Sequence, residues 1–182
     1  MKRVKNILSN IRNDIKNFHR LNSDEEQVKK ANYLSAYQGQ VVIKAAMPNG
    51  RSGSFGMFML LDKTAVFDPE TIRHEWGHYV QYRKLGFMRY FLGIGLPSLL
   101  NGKVPLKAYY MQPWEITADL YGKVLRDHSL EATAVGQRYL AYLISIRGGA
   151  AWLAFGRALT GIIRHDMSVL DKRNKETGGT KE

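Results

Sequence analysis

The chain has 182 residues, of which 45% are hydrophobic and 24% charged, a composition typical of one folded domain with its own core. It contains no cysteine, which excludes disulfides, thiol catalysis, iron–sulfur clusters and cysteine-bound zinc, so any metal has to be held by His, Asp or Glu. The 27 Lys and Arg residues exceed the 16 Asp and Glu residues by 11, and this excess favours anionic surroundings such as a lipid surface or nucleic acid.

Residues 2–20 have the pattern of a basic amphipathic helix. Six apolar residues fall on one stripe at helical spacing: Val4, Ile7, Leu8, Ile11, Ile15 and Phe18. Residues 1–20 therefore suit an anionic membrane surface, although we favour the alternative that the stripe packs on the rest of the protein. The longest uncharged run, residues 90–102, is too short to cross a bilayer, and the N-terminus has no secretory apolar core. We therefore predict a cytoplasmic protein. Peripheral association with a membrane and export by a route that needs no signal peptide stay open as alternatives.

The next elements predict strands followed by a helix. Two apolar segments, residues 40–47 and 55–61, flank a turn-rich stretch at residues 48–53, and this pattern predicts a short antiparallel β-hairpin. Asp68 is a good N-cap and precedes a proline, which predicts a helix that runs to about residue 85 and stops at Gly86.

The second half of the chain is mostly helical in pattern. Residues 87–107 are interrupted by Gly and Pro and predict an irregular, partly apolar segment. Pro113 predicts the start of a helix that reaches about Asp127. Residues 129–170 are predicted to be mainly helical, with a break at residues 148–149. The whole pattern predicts an α+β fold, mostly helical, with a short hairpin before the helix that begins at Asp68.

The chemically informative motif is His74-Glu75-Trp76-Gly77-His78, inside that helix. Two His residues four positions apart project from one helical face, close enough to share a metal ion. Glu75 lies beside them, where its carboxylate can take a proton from a metal-bound water. The alternative is that the two His residues make ordinary surface or core contacts.

A second helix supplies a third metal ligand. A catalytic zinc has three protein ligands and an open position for water. Glu115 shares a helical face with Ala118, Asp119 and Gly122, and the two small residues would let this helix approach the His helix closely. One acid can then bind the metal, while the other, one turn on, orients a ligating imidazole through its second N–H.

The His-Glu-x-x-His helix followed by a helix with Glu-x-x-x-Asp resembles the gluzincin branch of the zincin metallopeptidases, the thermolysin-like arrangement. The runs His-Glu-Trp-Gly-His-Tyr-Val-Gln and Gly-Ile-Gly-Leu-Pro-Ser-Leu-Leu are also similar to small uncharacterised bacterial HExxH proteins. The resemblance implies a zincin-like domain, in which the hairpin before the helix carries an edge strand that pairs with extended peptide substrate. It implies zinc ligands at His74, His78 and Glu115, a general base at Glu75, and Asp119 as the partner of His74.

The resemblance also implies a residue that steadies the oxyanion. The candidates are Tyr109, Tyr110 and His128, and His128 suits equally well a helix end, where it would interact with the helix dipole. We divide the chain into a basic N-terminal helical segment, a zincin-like metallopeptidase domain and a polar tail, at residues 1–36, 37–171 and 172–182.

The sequence thus predicts a zinc-dependent peptidase that acts on a peptide or protein substrate, with Zn²⁺ as cofactor and Glu75 as general base. One alternative is a non-catalytic zinc-binding protein that retains the fold, although metal binding alone does not need Glu75. Another alternative is a basic module that associates with a membrane surface. No base-reading motif is present, so sequence-specific nucleic-acid binding is not expected.

Overall fold

A computed structural model of the chain describes residues 33–47, 50–63, 68–101 and 104–163, together with residues 6, 8–10, 12, 13, 28 and 30. Within these residues the protein is a mixed α+β structure, as predicted, with a four-stranded sheet followed by seven α-helices. The polar tail and most of the predicted N-terminal helix lie outside the described residues. The described residues between 6 and 13 are helical, and Leu8, on the apolar stripe, is exposed.

The sheet contains four short strands: β1 (Leu34–Tyr37), β2 (Gln40–Ala45), β3 (Gly53–Phe55) and β4 (Phe58–Asp62). Their order in the sheet is β1-β2-β4-β3. The pairs β1/β2 and β3/β4 are antiparallel, whereas β2 and β4 are parallel. The predicted hairpin between residues 40–47 and 55–61 is therefore wrong.

Two tight turns explain why the pairing differs from the prediction. Gln38 and Gly39 connect β1 to β2 with φ of 44° and 85°, both in the left-handed region, as a type I′ hairpin turn requires. Gly56, with φ of 62°, begins a second two-residue turn and splits the predicted strand 55–61 into parts of β3 and β4. Of the turn-rich stretch, residues 50–52 precede β3 and Gly53 is the first residue of that strand.

The helices and one π-helical turn follow in chain order: α1 (Pro69–Leu85), α2 (Phe87–Tyr90), the π-helix (Phe91–Gly95), α3 (Leu96–Leu100), α4 (Leu106–Tyr110), α5 (Pro113–Gly122), α6 (Leu130–Ser145) and α7 (Gly148–Ile163). Helix α1 has the predicted bounds. The Asp68 carboxylate accepts hydrogen bonds from the Glu70 amide at 3.0 Å and the Thr71 hydroxyl at 2.6 Å. Gly86 then ends the helix with φ of 73°.

Residues 87–100 are helical rather than irregular. Pro97 has no amide hydrogen and cannot bond the carbonyl of Gly93 one turn earlier. The buried Tyr139 hydroxyl donates to that carbonyl instead, at 2.5 Å. The π-helix lies directly before this point, where helices commonly adjust to a missing backbone bond. A tertiary hydrogen bond therefore allows a helix in a segment whose local sequence opposes one.

Helix α5 ends at Gly122 rather than near Asp127. Lys123 adopts φ of 54°, so the chain leaves the helix there even though this residue is not a glycine. The Lys123 amide donates to the Leu120 carbonyl and the Val124 amide to the Asp119 carbonyl, the two bonds of a Schellman C-cap. This turn sends the following residues back towards the helix.

The described contacts divide the chain into two compact units. The first comprises the chain up to Arg83 together with residues 118–126, and the second comprises residues 84–117 together with the chain from Asp127 onward. The predicted boundaries at residues 36 and 171 stay predictions. The core of the first unit joins the sheet to α1 and consists of Val28, Tyr37, Val42, Met59, Leu61 and Ile72, with Trp76 packed against it. Among the described residues, no helix combines the length and apolar character needed to span a membrane.

Candidate metal centre

Helix α1 presents different residues on its two sides. Ile72 and Trp76 belong to the side that packs on the sheet, where the Trp76 ring meets the Tyr37 ring edge-on at 6.5 Å. His74 and His78 follow the same four-residue spacing on roughly the opposite side. Both imidazoles are buried, and their ring centroids lie 4.8 Å apart. Hydrophobic packing of one side therefore fixes the direction in which the two imidazoles point.

The backbones of α1 and α5 touch at two glycines. A Cβ added to Gly77 would lie 1.9 Å from the carbonyl oxygen of Ala118. A Cβ added to Gly122 would lie 2.1 Å from the carbonyl oxygen of Arg73. No side chain larger than hydrogen fits at either position without moving a helix. The close approach expected from Ala118 and Gly122 is thus present, and Gly77 contributes to it from the opposite helix.

Asp119 lies against His74. Its Oδ1 atom is 2.6 Å from Nδ1 of His74, and both side chains are buried. Its second oxygen accepts a hydrogen bond from the Arg126 guanidinium, which reaches back from the turn after α5. Because a carboxylate accepts hydrogen bonds, Nδ1 of His74 carries a hydrogen, and in the neutral imidazole the lone pair is then on Nε2. Arg126 was missed at the sequence level, since its position depends on the turn at Lys123.

Gln81 holds the second imidazole and was also missed. Its Oε1 atom lies 2.8 Å from Nδ1 of His78, and the Gln81 side chain is fully buried. The amide oxygen, like the carboxylate of Asp119, accepts the Nδ1 hydrogen, so in the neutral imidazole of His78 the lone pair is on Nε2. The spacing of three residues on one helix could have revealed this partner, because positions i and i+3 are neighbours on a helical surface.

Glu115 completes the group of ligand atoms. It lies one turn before Asp119 on the same continuous helix, so the contact of Asp119 with His74 also fixes the position of Glu115. His74, His78 and Glu115 each offer a ligand atom, and these atoms all lie within 4.8 Å of one another. All three residues are buried, and Glu115 has no exposed surface. The arrangement has the donor types and the spacing that can hold a metal ion.

Glu75 occupies the position next to His74 on α1 and is 6% exposed. It is not a member of the group of potential ligands formed by the two His residues and Glu115. Glu75 is therefore a nearly buried carboxylate, adjacent in sequence to a potential metal ligand.

The three oxyanion candidates are not part of the ligand group. Tyr109 and Tyr110 lie at the end of α4 with their rings edge-to-face, and the Tyr109 hydroxyl pairs with the Ser98 hydroxyl at 2.6 Å. His128 lies directly before Ser129, whose side chain caps the N-terminus of α6. His128 is not at the end of α5, because that helix ends at Gly122 and the next one begins at Leu130.

Comparisons with protein-family models, with curated proteins and with solved structures give no significant match for this chain. The gluzincin resemblance stays a prediction, carried by the residues of the two helices.

Proposed function

We propose that this protein is a zinc-dependent peptidase in which His74, His78 and Glu115 hold the metal and Glu75 acts as the general base. The observation that supports the proposal most strongly is the orientation of the two imidazoles. Each Nδ1 atom faces its own acceptor, Asp119 or Gln81, so in the neutral imidazole the lone pair that can bind a metal is on Nε2. Two His residues that served only as core contacts would not need matched tautomers.

The donor set suits zinc better than magnesium or calcium. Imidazole nitrogen is a preferred zinc ligand, whereas magnesium and calcium select oxygen ligands. Neighbouring ligand atoms of a tetrahedral zinc lie about 3.4 Å apart when the metal–ligand bonds are about 2.1 Å long. Atoms within 4.8 Å of one another therefore need to approach by up to about 1.4 Å, a distance within the range of small side-chain rotations. The three protein ligands leave a fourth position for water or substrate.

Zinc, when bound, lowers the pKa of a coordinated water towards about 7 and polarises a carbonyl oxygen. The residues of this chain supply the remaining functions. The Glu75 carboxylate takes a proton from the attacking water and returns it to the amine that leaves. Asp119 and Gln81 keep the two imidazoles in the tautomer that binds metal. Arg126 donates a hydrogen bond to the second oxygen of Asp119 and so holds that carboxylate in place.

The test compares three variants with the parent protein. Glu75→Gln keeps the size of the side chain but removes the proton acceptor, so zinc content and melting temperature should change little. Peptide hydrolysis should fall by about 10²–10⁴-fold, as is typical when a general base is lost. His74→Ala should lose most of the zinc as well as the activity. The matched control is Glu70→Gln, in the first turn of the same helix, which should keep both.

Metal content and cleavage of a diverse peptide library separate the proposed function from its alternative. Stoichiometric zinc in His74→Ala would contradict the ligand assignment, and an unchanged rate in Glu75→Gln would contradict the mechanism. A parent protein that binds zinc but cleaves no peptide would favour the non-catalytic zinc-binding protein.

A further inference from the structure

The helical run over residues 87–100 exposes an apolar face. Its members are Phe87, Met88, Phe91, Leu99 and Leu100, and we call them the apolar face. Phe87 is 64% and Leu99 65% exposed, so much of each side chain meets solvent. The rings of Phe87 and Phe91 stack with their centroids 6.1 Å apart. Several exposed apolar side chains on one short helical run often mark a site of interaction.

The opposite side of the same run is already packed. Tyr90, Ile94 and Pro97 are buried there, and an added Cβ on Gly93 would lie 2.6 Å from the Leu143 side chain of α6. Two hydrogen bonds also hold the run, from the Tyr139 hydroxyl to the Gly93 carbonyl and from the Arg89 guanidinium to the Ile146 carbonyl. The apolar face is thus the outer side of a segment that has already satisfied its contacts with its own unit.

The helical run lies in a stretch of sequence whose charged residues all have one sign. The chain contains no Asp or Glu between Glu75 and Glu115, an interval that includes the whole helical run. Lys84 and Lys107 are exposed at the two ends of this part of the second unit. An apolar surface on a segment that has basic but no acidic residues complements a partner whose apolar layer lies beneath negative charge.

Other partners fit this combination less well. A second copy of the chain would bring together two molecules that each carry a net charge of +11, and these would repel each other. Nucleic acid is recognised through phosphates and base edges and would leave the exposed leucine and methionine side chains without apolar contacts. The surface of an anionic bilayer provides both headgroup charge and an acyl layer.

We propose that the apolar face inserts shallowly into the surface of an anionic lipid bilayer. Fourteen helical residues are about 21 Å long, so the run can lie flat and place its aromatic rings about 5–10 Å into the boundary between headgroups and acyl chains. The proposal goes beyond the peptidase function and does not depend on it. It also places membrane contact on residues 87–100 rather than on the N-terminal residues 1–20.

The first test measures binding of the full chain to vesicles of phosphatidylglycerol and phosphatidylcholine, and to vesicles of phosphatidylcholine alone. The parent should bind the anionic vesicles, and the double variant Phe87→Gln/Phe91→Gln should bind at least about tenfold more weakly, because two apolar side chains no longer insert. The control is Leu125→Gln/Leu130→Gln, which replaces two exposed leucines outside the face without changing charge and should bind within about threefold of the parent.

A second measurement locates the contact without weakening it. The chain has no native cysteine, so Met88→Cys and Leu130→Cys each allow a polarity-sensitive fluorophore to be attached at one position. Emission from position 88 should shift to shorter wavelength when anionic vesicles are added, whereas emission from position 130 should stay unchanged.

Three results would overturn the proposal. The parent protein could fail to bind anionic vesicles, or the two double variants could lose binding equally. Alternatively, Leu8→Gln/Ile11→Gln, on the predicted N-terminal stripe, could abolish binding while Phe87→Gln/Phe91→Gln has no effect. That last result would assign membrane contact to residues 1–20. Self-association that the apolar-face variant abolishes, with no vesicle binding, would assign the face to a second copy of the chain.

Discussion

Helix α1 buries polar side chains, whereas the helical run that follows it exposes apolar ones. In α1, His74, His78 and Gln81 are each at most 6% exposed, and their hydrogen bonds compensate for the loss of water. In the run over residues 87–100, Phe87 and Leu99 are mostly exposed although the chain has a packed core elsewhere. Both regions depart from the usual rule that polar side chains are exposed and apolar side chains are buried, but in opposite ways. Buried polar groups are common where a protein binds an internal ligand, and exposed apolar patches are common where it contacts an external partner.

The largest expected effect tests whether the buried polar region depends on contact between the two helix backbones. Gly77→Ala should lower the free energy of unfolding by about 3 kcal/mol or more, because the added methyl overlaps the Ala118 carbonyl and the helices have to separate. Gly156→Ala is the matched control, since a Cβ there meets nothing within 4 Å and should stabilise α7 by up to about 1 kcal/mol. Urea unfolding measures both, and equal effects would contradict the close contact.

The next prediction tests whether the buried polar groups serve a metal. Asp119→Ala removes the acceptor at Nδ1 of His74 and should weaken zinc binding about 10–100-fold in a competition assay with a chelator. Asp127→Ala removes an exposed acid just beyond the same helix and should leave the affinity unchanged. If the two variants bind zinc equally well, Asp119 has only a structural role.

A smaller effect concerns the inner side of the helical run. Tyr139→Phe leaves the buried Gly93 carbonyl without its donor and should cost about 1–2 kcal/mol of unfolding free energy. Burial, reinforced by Tyr142 nearby, raises the pKa of Tyr139 above its usual value of 10.0. The folded protein therefore keeps this proton at a pH where the unfolded chain releases it.

The sign of the pH dependence follows from that difference. Stability from Tyr139 is fully present below about pH 10 and is lost as the pH rises further, because ionisation then favours the unfolded chain. Urea unfolding of the parent should show a steeper loss of stability above pH 10 than unfolding of Tyr139→Phe. Identical slopes would show that Tyr139 does not hold its proton through burial.

The smallest effect separates the two sides of the helical run. Phe91→Gln, on the apolar face, should change the free energy of unfolding by less than about 0.5 kcal/mol, because the side chain is already exposed. Ile94→Gln, three residues later on the buried side, should cost about 3 kcal/mol or more. A large loss in Phe91→Gln would mean that the apolar face packs against part of the protein itself.

Local chemistry determined much of the metal-site helices. Asp68 and Gly86 specify the ends of α1 by capping, which involves only neighbouring residues. The spacing of His74 and His78 specifies a shared direction, because a helix repeats every 3.6 residues. The face formed by Glu115 and Asp119 follows from the same periodicity, and so does the contact of Asp119 with His74 once the helices pack.

Tertiary contacts decided the other features. The parallel pairing of β2 with β4 depends on the path of the connecting chain, and the two tight turns at Gly39 and Gly56 were less conspicuous in sequence than the stretch at residues 48–53. The contact of Gly122 with the Arg73 backbone was expected from the small residues on this face, whereas the end of the helix at Lys123 was not. Arg126 reaches Asp119 only because of that turn. Capping and periodicity act between residues a few positions apart, whereas strand direction, backbone contact and the Tyr139–Gly93 bond join residues far apart in sequence.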